Sequence, residues 1–182
     1  MTTTQPDFDT QPDTSQRVYL SYIDRTRKFY LKQGFDNPYR WAHHSDSPFT
    51  ALPKPLHESR LGLVTTAAEY DPALGDQGPH AAYNNDAKFD RVYTRPSDSL
   101  PDLRISHIGY DRQNARIDDL AAYFPLARLQ EAVAAGRLGE LSRRFYAVPT
   151  LRSQRLTSER DAPEILELMR ADKVEVALLV AV

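Results

Sequence analysis

Apolar residues return at helical spacing from Gln16 to Gln33, where Val18, Tyr19, Tyr22, Ile23, Phe29 and Tyr30 share one side and Asp24, Arg25, Arg27 and Lys28 fill the other. This pattern predicts an amphipathic helix, closed by Gly34 as a left-handed cap. The next stretch, Phe35 to Pro55, sets Pro38, Pro48, Pro53 and Pro55 among Tyr39, Trp41, His43, His44 and Phe49. Prolines at that density forbid a long regular element, and the aromatics read as a loop packed down on the domain. Leu61 to Ala67 is a short apolar run with β-branched residues, which predicts a buried strand. Glu69 to Asp90 is polar and turn-rich, a long excursion of the kind that serves a site. Arg91 to Thr94 predicts a short strand and Leu103 to Ile108 a clearer one, with alternating character.

In the second half, Pro125 to Ala135 predicts a helix begun by proline and closed by Gly136, and Leu138 to Phe145 a further helical turn or two. Asp161 is expected to cap a third helix running through Met169, with Pro163 in its first turn. Val174 to Val182 reads as a buried strand. Helix, short turn and apolar strand form the repeating unit of an α/β domain, here expected to be a Rossmann- or flavodoxin-like layered domain with a mainly parallel sheet. Residues 1–15 read as a disordered leader of Thr, Gln, Asp and Pro, and residues 16–182 as a single domain.

Composition narrows the function classes. The 182 residues suit one domain, and 23 basic against 25 acidic side chains leave a net charge of −2, which argues against an electrostatic nucleic-acid binder. The longest apolar run, Val176 to Val182, has seven residues, whereas a membrane helix needs roughly 20. The first residues have neither a basic start nor an apolar core, so no export signal is read and a cytoplasmic location is expected. Cysteine is absent, which excludes disulfides, thiolate nucleophiles and Cys-ligated metals within these residues. Neither a glycine-rich phosphate loop nor a Gly-x-Ser-x-Gly elbow occurs, and seven glycines in all argue against a dinucleotide site.

Four short runs, in order, carry a resemblance: Arg60-Leu-Gly-Leu-Val-Thr-Thr-Ala67, Leu103-Arg-Ile-Ser-His-Ile-Gly-Tyr-Asp111, Tyr123-Phe-Pro-Leu-Ala-Arg-Leu129 and Ala135-Gly-Arg-Leu-Gly-Glu-Leu141. Together, over about Arg60 to Val182, the chain resembles the first half of the B subunits of glycine, sarcosine and betaine reductases and of D-proline reductase. It departs from them in lacking a second histidine near Gly109 and a glycine at Ala67-Ala68. The resemblance implies a cytoplasmic enzyme that reductively cleaves a carbon–nitrogen bond in a small amino acid or its methylated relative. In that family a strand similar to Val174 to Val182 runs into a loop bearing selenocysteine or cysteine. No such residue is present here, so the resemblance implies a fold incomplete by itself and a second protein subunit carrying the Cys or Sec loop. No cofactor is expected in this chain, and the thiol or selenol is expected from the partner. Met169 is no substitute, since a thioether has no proton to lose.

Candidate site residues follow from strand ends, where parallel sheets gather ligands. Thr65 and Thr66 end the first clear strand, and their hydroxyls and amides are placed to hold a substrate carboxylate, with Arg60 as a further binding candidate. His107, Tyr110 and Asp111 close the second strand. A histidine, with its ordinary pKa of about 6.5, suits proton transfer, and on a continuing strand Asp111 shares its face. Each of these also has a purely structural reading as turn former or core polar group. His43 and His44 are adjacent and point apart on a strand, and His57 and His80 have no partner at ligand spacing, so no metal is expected. Two other classes stay open: a stand-alone enzyme using His107 with Asp111 as acid and base, with or without a metal, and a non-catalytic scaffold presenting Tyr39 to Phe49 to a partner.

Overall fold

The computed structural model describes residues 21–34, 46, 50–69, 71–75, 89–104, 119–149 and 153–181. The chain divides into two compact units, residues 1–47 and 48–182. In the first, the amphipathic stretch forms helix α1 (Ser21–Lys32), which ends at Gly34 with φ of +83°, the left-handed stop expected from the glycine. Phe29 and Leu31 are exposed on it, and Phe29 meets Tyr30 edge-on at 5.7 Å. The start of the predicted helix, Gln16 to Leu20, lies outside the described residues.

The second unit is α/β, as the sequence predicts at that level. Its main sheet is mixed and mostly parallel. Strand β1 (Arg60–Thr65) lies in the middle, and the register Leu61↔Val176 to Thr65↔Val180 pairs it in parallel with β7 (Val176–Val180). On its other side run β5 (Glu140–Leu141) and β6 (Arg144–Ala147), also parallel, and β3 (Tyr93–Pro96) closes that side antiparallel to β6. The remaining pair, β2 (Ala68–Glu69) and β4 (Leu103–Arg104), makes a separate antiparallel ribbon just beyond the end of β1.

Both faces of the sheet are covered, as parallel strands require. Alternation along β1 and β6 sends Leu63 and Phe145 to one face, where Leu103, Tyr123, Phe124 and Leu126 complete a core with helix α2 (Leu126–Ala134). Val64 and Tyr146 turn to the other face, under Ile165 and Met169 of helix α4 (Ala162–Ala171). Gly62 makes that second contact possible: a Cβ there meets Met169 Cε and Val174 Cγ1 at 3.0 Å.

Three expectations need correction. Leu138 to Phe145 is not helix: from Glu140 on it is an interrupted strand, in which two extra residues at Ser142-Arg143 keep Leu141 and Phe145 on one face, four apart, while Leu138 lies ahead of β5. Across that break Ser142 N–H still donates to Leu61 C=O at 2.7 Å. Asp161 is not a cap. The helical stretch begins earlier, at α3 (Gln154–Leu156), where Ser153 Oγ accepts from Leu156 N–H at 3.2 Å, and continues through a π turn (Thr157–Asp161) into α4. Asp161 is instead buried against the Arg160 guanidinium at 2.7 Å. Finally, β7 is not a buried strand. Its burial alternates, and Leu179 is 73% exposed.

Candidate functional site

The carboxyl ends of β1, β6 and β7 converge where an α/β sheet holds ligands. Thr65 closes β1 with its side chain fully buried, and its Oγ1 accepts from Ala67 N–H at 3.0 Å. Its carbonyl takes Val148 N–H at 2.8 Å, and Thr66 N–H donates to Val180 C=O at 3.3 Å. The amides of Thr66 and Ala67 are therefore engaged within the protein and do not face a ligand. The local turn is one that a Thr-Thr-Ala sequence makes easily, with the first hydroxyl satisfying the amide two residues on.

Arg60 stands at the other end of the same strand. Its Nη1 donates to Asp172 C=O at 2.7 Å, Nη2 pairs with Glu140 at 2.7 Å, and its N–H donates to Glu175, which Lys54 also holds at 2.9 Å. Six residues of strand span about 17 Å, so Arg60 and the Thr65-Thr66 end are not brought together. His107, Tyr110 and Asp111 lie outside the described residues. The segment leading to them, Leu103–Arg104, is carried by the β2–β4 ribbon to the Thr65 end of β1, with Leu103 buried beside Ala67.

A cluster that the sequence alone did not single out occupies this end. Because β3 runs antiparallel, Tyr93 pairs with Ala147, the last residue of β6. The Tyr93 hydroxyl donates to Ala67 C=O at 3.0 Å, and its ring meets Phe89 at 4.7 Å and Phe145 at 6.4 Å, both edge-on. Arg95 lies over the Tyr93 ring at 5.2 Å and forks onto Glu69 through Nε at 3.0 Å and Nη2 at 2.7 Å. Arg95 thus sets a half-exposed cation beside the end of β1, and its partner Glu69 is the group an incoming carboxylate has to displace. The residue signal was the alternation Tyr93-Thr-Arg95 in a strand of the right length; what it lacked was the strand's direction.

No family model, curated protein or solved structure matches the chain.

Burial, helped by the Glu69 charge, pushes the Tyr93 hydroxyl up to about 12, against the smaller pull of Arg95. Tyr93 is therefore a fixed hydrogen-bond donor at neutral pH and not an acid or base. Replacing Tyr93 by Phe is expected to abolish one phenol ionisation near pH 12 in an ultraviolet titration while removing none near pH 10; loss of a step near 10 contradicts this environment. Among the described residues no three His, Asp or Glu side chains group to hold a metal, and no helix is long and apolar enough to cross a membrane.

Proposed function

We propose that the chain is a subunit of a heteromeric oxidoreductase of the glycine, betaine, sarcosine and D-proline reductase kind, within a Rossmann- or flavodoxin-like fold. It contributes the fold and the pocket for a small amino-acid-like substrate, while a second subunit carrying a Cys or Sec loop contributes the redox thiol or selenol. The reading places the complex in the cytoplasm, with neither nucleic acid nor membrane as partner.

One observation carries the proposal: the family-like runs occur in order from Arg60 to Leu141 in a sequence with no cysteine. Reductive cleavage of a carbon–nitrogen bond consumes two electrons and two protons and releases an amine. A soft, easily ionised sulfur or selenium is the group that delivers those electrons, and these residues hold none. Two of the family-like runs meet at one end of the sheet, which supports the reading. The run Arg60–Ala67 is β1 with its strand-end turn, and the first two residues of the Leu103 run, Leu103–Arg104, lie beside that turn. His107 and Asp111 are then the acid–base pair, Tyr110 their neighbour, and Arg95 with the side chain of Thr66 the proposed carboxylate-binding set, while buried Thr65 shapes the turn beneath them.

Purification of the tagged chain from its native host, followed by identification of everything bound to it, tests this directly. A second polypeptide with a Cys or Sec loop is expected. The complex should reduce a glycine-type substrate with a dithiol while the chain alone does not, and His107→Ala within the complex should lower kcat by about 10²–10⁴-fold. Isolation of the chain free of any partner, or reduction by the chain alone, overturns the proposal.

A further inference from the structure

Two carboxylates are buried among the described residues, and they are not equally satisfied. Asp172 has both oxygens occupied, Oδ1 by Arg143 at 2.8 Å and Oδ2 by Arg144 at 2.6 Å and Tyr146 at 2.7 Å. Asp161 is 2% exposed, and its Oδ1 takes the Arg160 Nε–H at 2.7 Å. Arg160 does not close the fork, because its Nη2 donates instead to Asp90 C=O at 2.9 Å. Among the described residues nothing donates to Asp161 Oδ2. A buried carboxylate oxygen without a donor is costly, and in a native fold it marks a place where another group donates.

The packing along the helix fixes where this oxygen stands. Met169, Ile165 and Asp161 follow one another at intervals of four and form the buried stripe. Met169 Cε meets the Cβ position of Gly62, and Ile165 packs in one cluster with Val64. One more step of four along the helix, about 6 Å, matches one more step of two along β1, about 7 Å, and sets Asp161 over Thr66. Alternation puts the Thr66 side chain on that same face, since Leu63 lies on the other and Val64 on this one. The bond from Arg160 to Asp90 agrees with the level: Asp90 precedes Tyr93, which pairs with Ala147 at the end of β6 on an antiparallel strand. Asp161 also closes the π turn (Thr157–Asp161), a widened turn of the kind frequent at functional sites. Asp172 serves the opposite end of the sheet, where its carbonyl takes Arg60 at the start of β1.

We propose that Asp161 Oδ2 accepts an N–H from the amino group of the substrate, and so selects amines that carry an N–H over quaternary ones. The identity of the ligand as an amino-acid-like molecule rests on the proposed reductase reading; the half-occupied carboxylate and its place at the strand ends do not. Charge favours an ammonium. Asp90 and Glu164 act on the Arg160 guanidinium together with Asp161, so the acids at this spot outnumber its cation. A charged N–H also makes a shorter and stronger bond to a carboxylate than a neutral one. A metal ion needs several oxygen or nitrogen ligands, and among the described residues no three His, Asp or Glu side chains group to hold one. Thr66, in the proposed carboxylate-binding set, lies on the same face at the same level, as the two ends of a short amino acid require.

Calorimetric titration of the protein, in the form purified from its native host, tests the proposal with glycine, sarcosine, D-proline, betaine and acetate as probes. The first three carry an N–H, betaine carries none, and acetate has no nitrogen. At least one of the three is expected to bind about tenfold or more tightly than betaine and acetate, the worth of one charge-assisted bond. Asp161→Asn keeps an acceptor for Arg160 and turns an NH₂ group to where Oδ2 stood. It should erase that preference while leaving betaine binding within about twofold, whereas a merely structural role would weaken all five probes alike. Should the variant fail to fold, the probe series on the wild type decides. Betaine or acetate bound as tightly as the N–H amines, no binding of any of the three, or a folded Asp161→Asn variant that keeps the preference each overturns the proposal. The reductase reading fails separately. Amine binding that follows Asp161 in a chain with no Cys- or Sec-bearing partner upholds this inference without that reading, and a reducing complex whose KM is unchanged by Asp161→Asn overturns this inference and leaves the reading standing.

Discussion

Replacing Asp172 by Asn should cost about 3 kcal/mol at pH 7, a figure set by what it costs to break a buried ion pair and leave one partner behind. Asp172 follows the last turn of α4, where the helix dipole disfavours an anion, and its side chain is only 1% exposed. It is tolerated because four donors converge on it. Arg144 Nε reaches Oδ2 at 2.6 Å, Arg143 Nε reaches Oδ1 at 2.8 Å, and the buried Tyr146 hydroxyl donates to Oδ2 at 2.7 Å while Ser142 Oγ lies 2.9 Å from that hydroxyl. Arg144 adds a second bond through Nη2 at 3.3 Å. Burial pushes the carboxyl up, but the bonds from Arg144, Tyr146 and Arg143 and the Arg144 charge together outweigh it and hold the group below its ordinary value. A carboxyl with a lowered folded value contributes stability above its unfolded value, near 3.8, and loses it as the pH falls through the folded one. The gap between wild type and Asp172→Asn in urea unfolding is therefore expected to be full at pH 7 and to close below about pH 4. Arg143→Ala should cost under about 1 kcal/mol, because that side chain is 75% exposed. A gap unchanged between pH 7 and pH 3 would show that Asp172 acts through shape and not through charge.

That ring of donors explains where the sequence was hard to read. Arg143-Arg144 reads as a solvated basic face in one dimension, since its partner lies 28 residues on, across a helix. The same holds for the strand it sits in. Leu138, Leu141 and Phe145 mimic a helix because Leu138 lies ahead of the strand and Leu141 and Phe145 stand four apart on one of its faces, and only the pairing of β5 and β6 with the same strand, β1, shows that they are one interrupted strand. Where burial is two-sided and continuous, as in β1, or where a proline and a glycine bracket an amphipathic run, as in α2, local pattern and tertiary structure agree and the element was legible. For β7 the apolar run was visible, but the same run serves a strand buried on both faces or one with a face left exposed, and only the neighbours distinguish them.

The candidate site was legible in part for a related reason. Strand ends can be found from a sequence, which is how Thr65 and Thr66 were reached, but strand direction cannot. The antiparallel course of β3 brings Tyr93 and Arg95 to the site, and the parallel course of β1 takes Arg60 away from it. Hydrogen-bond commitments are likewise invisible in one dimension: Thr66 and Ala67 carry amides that look free and are not.

Gly139→Ala should destabilise the protein by about 3 kcal/mol, at the upper end of the range for forcing atoms into filled space. A Cβ at this position comes within 2.8 Å of Glu58 C, Ser59 N and Ser59 O, all of them backbone atoms. No rotamer change relieves that contact, because two chain segments cross there. Gly139 N–H donates to Leu56 C=O at 3.1 Å, and the next amide, of Glu140, donates to Ser59 C=O at 3.2 Å, locking the approach that leads both chains into β1 and β5. Relief requires moving the entry to β1, with the Arg60–Glu140 pair and the first rung of the sheet. The comparison that isolates the cause is Gly136, three residues earlier. It adopts φ of +67° with open space around its Cβ position, so Gly136→Ala pays only the left-handed backbone cost of about 1 kcal/mol. Urea unfolding of both variants, with unchanged slope, should therefore rank Gly139→Ala well below Gly136→Ala. Equal losses at the two positions would mean that the crossing at Ser59 has room to give, and that the strands at this end of the sheet are held by their ladder alone.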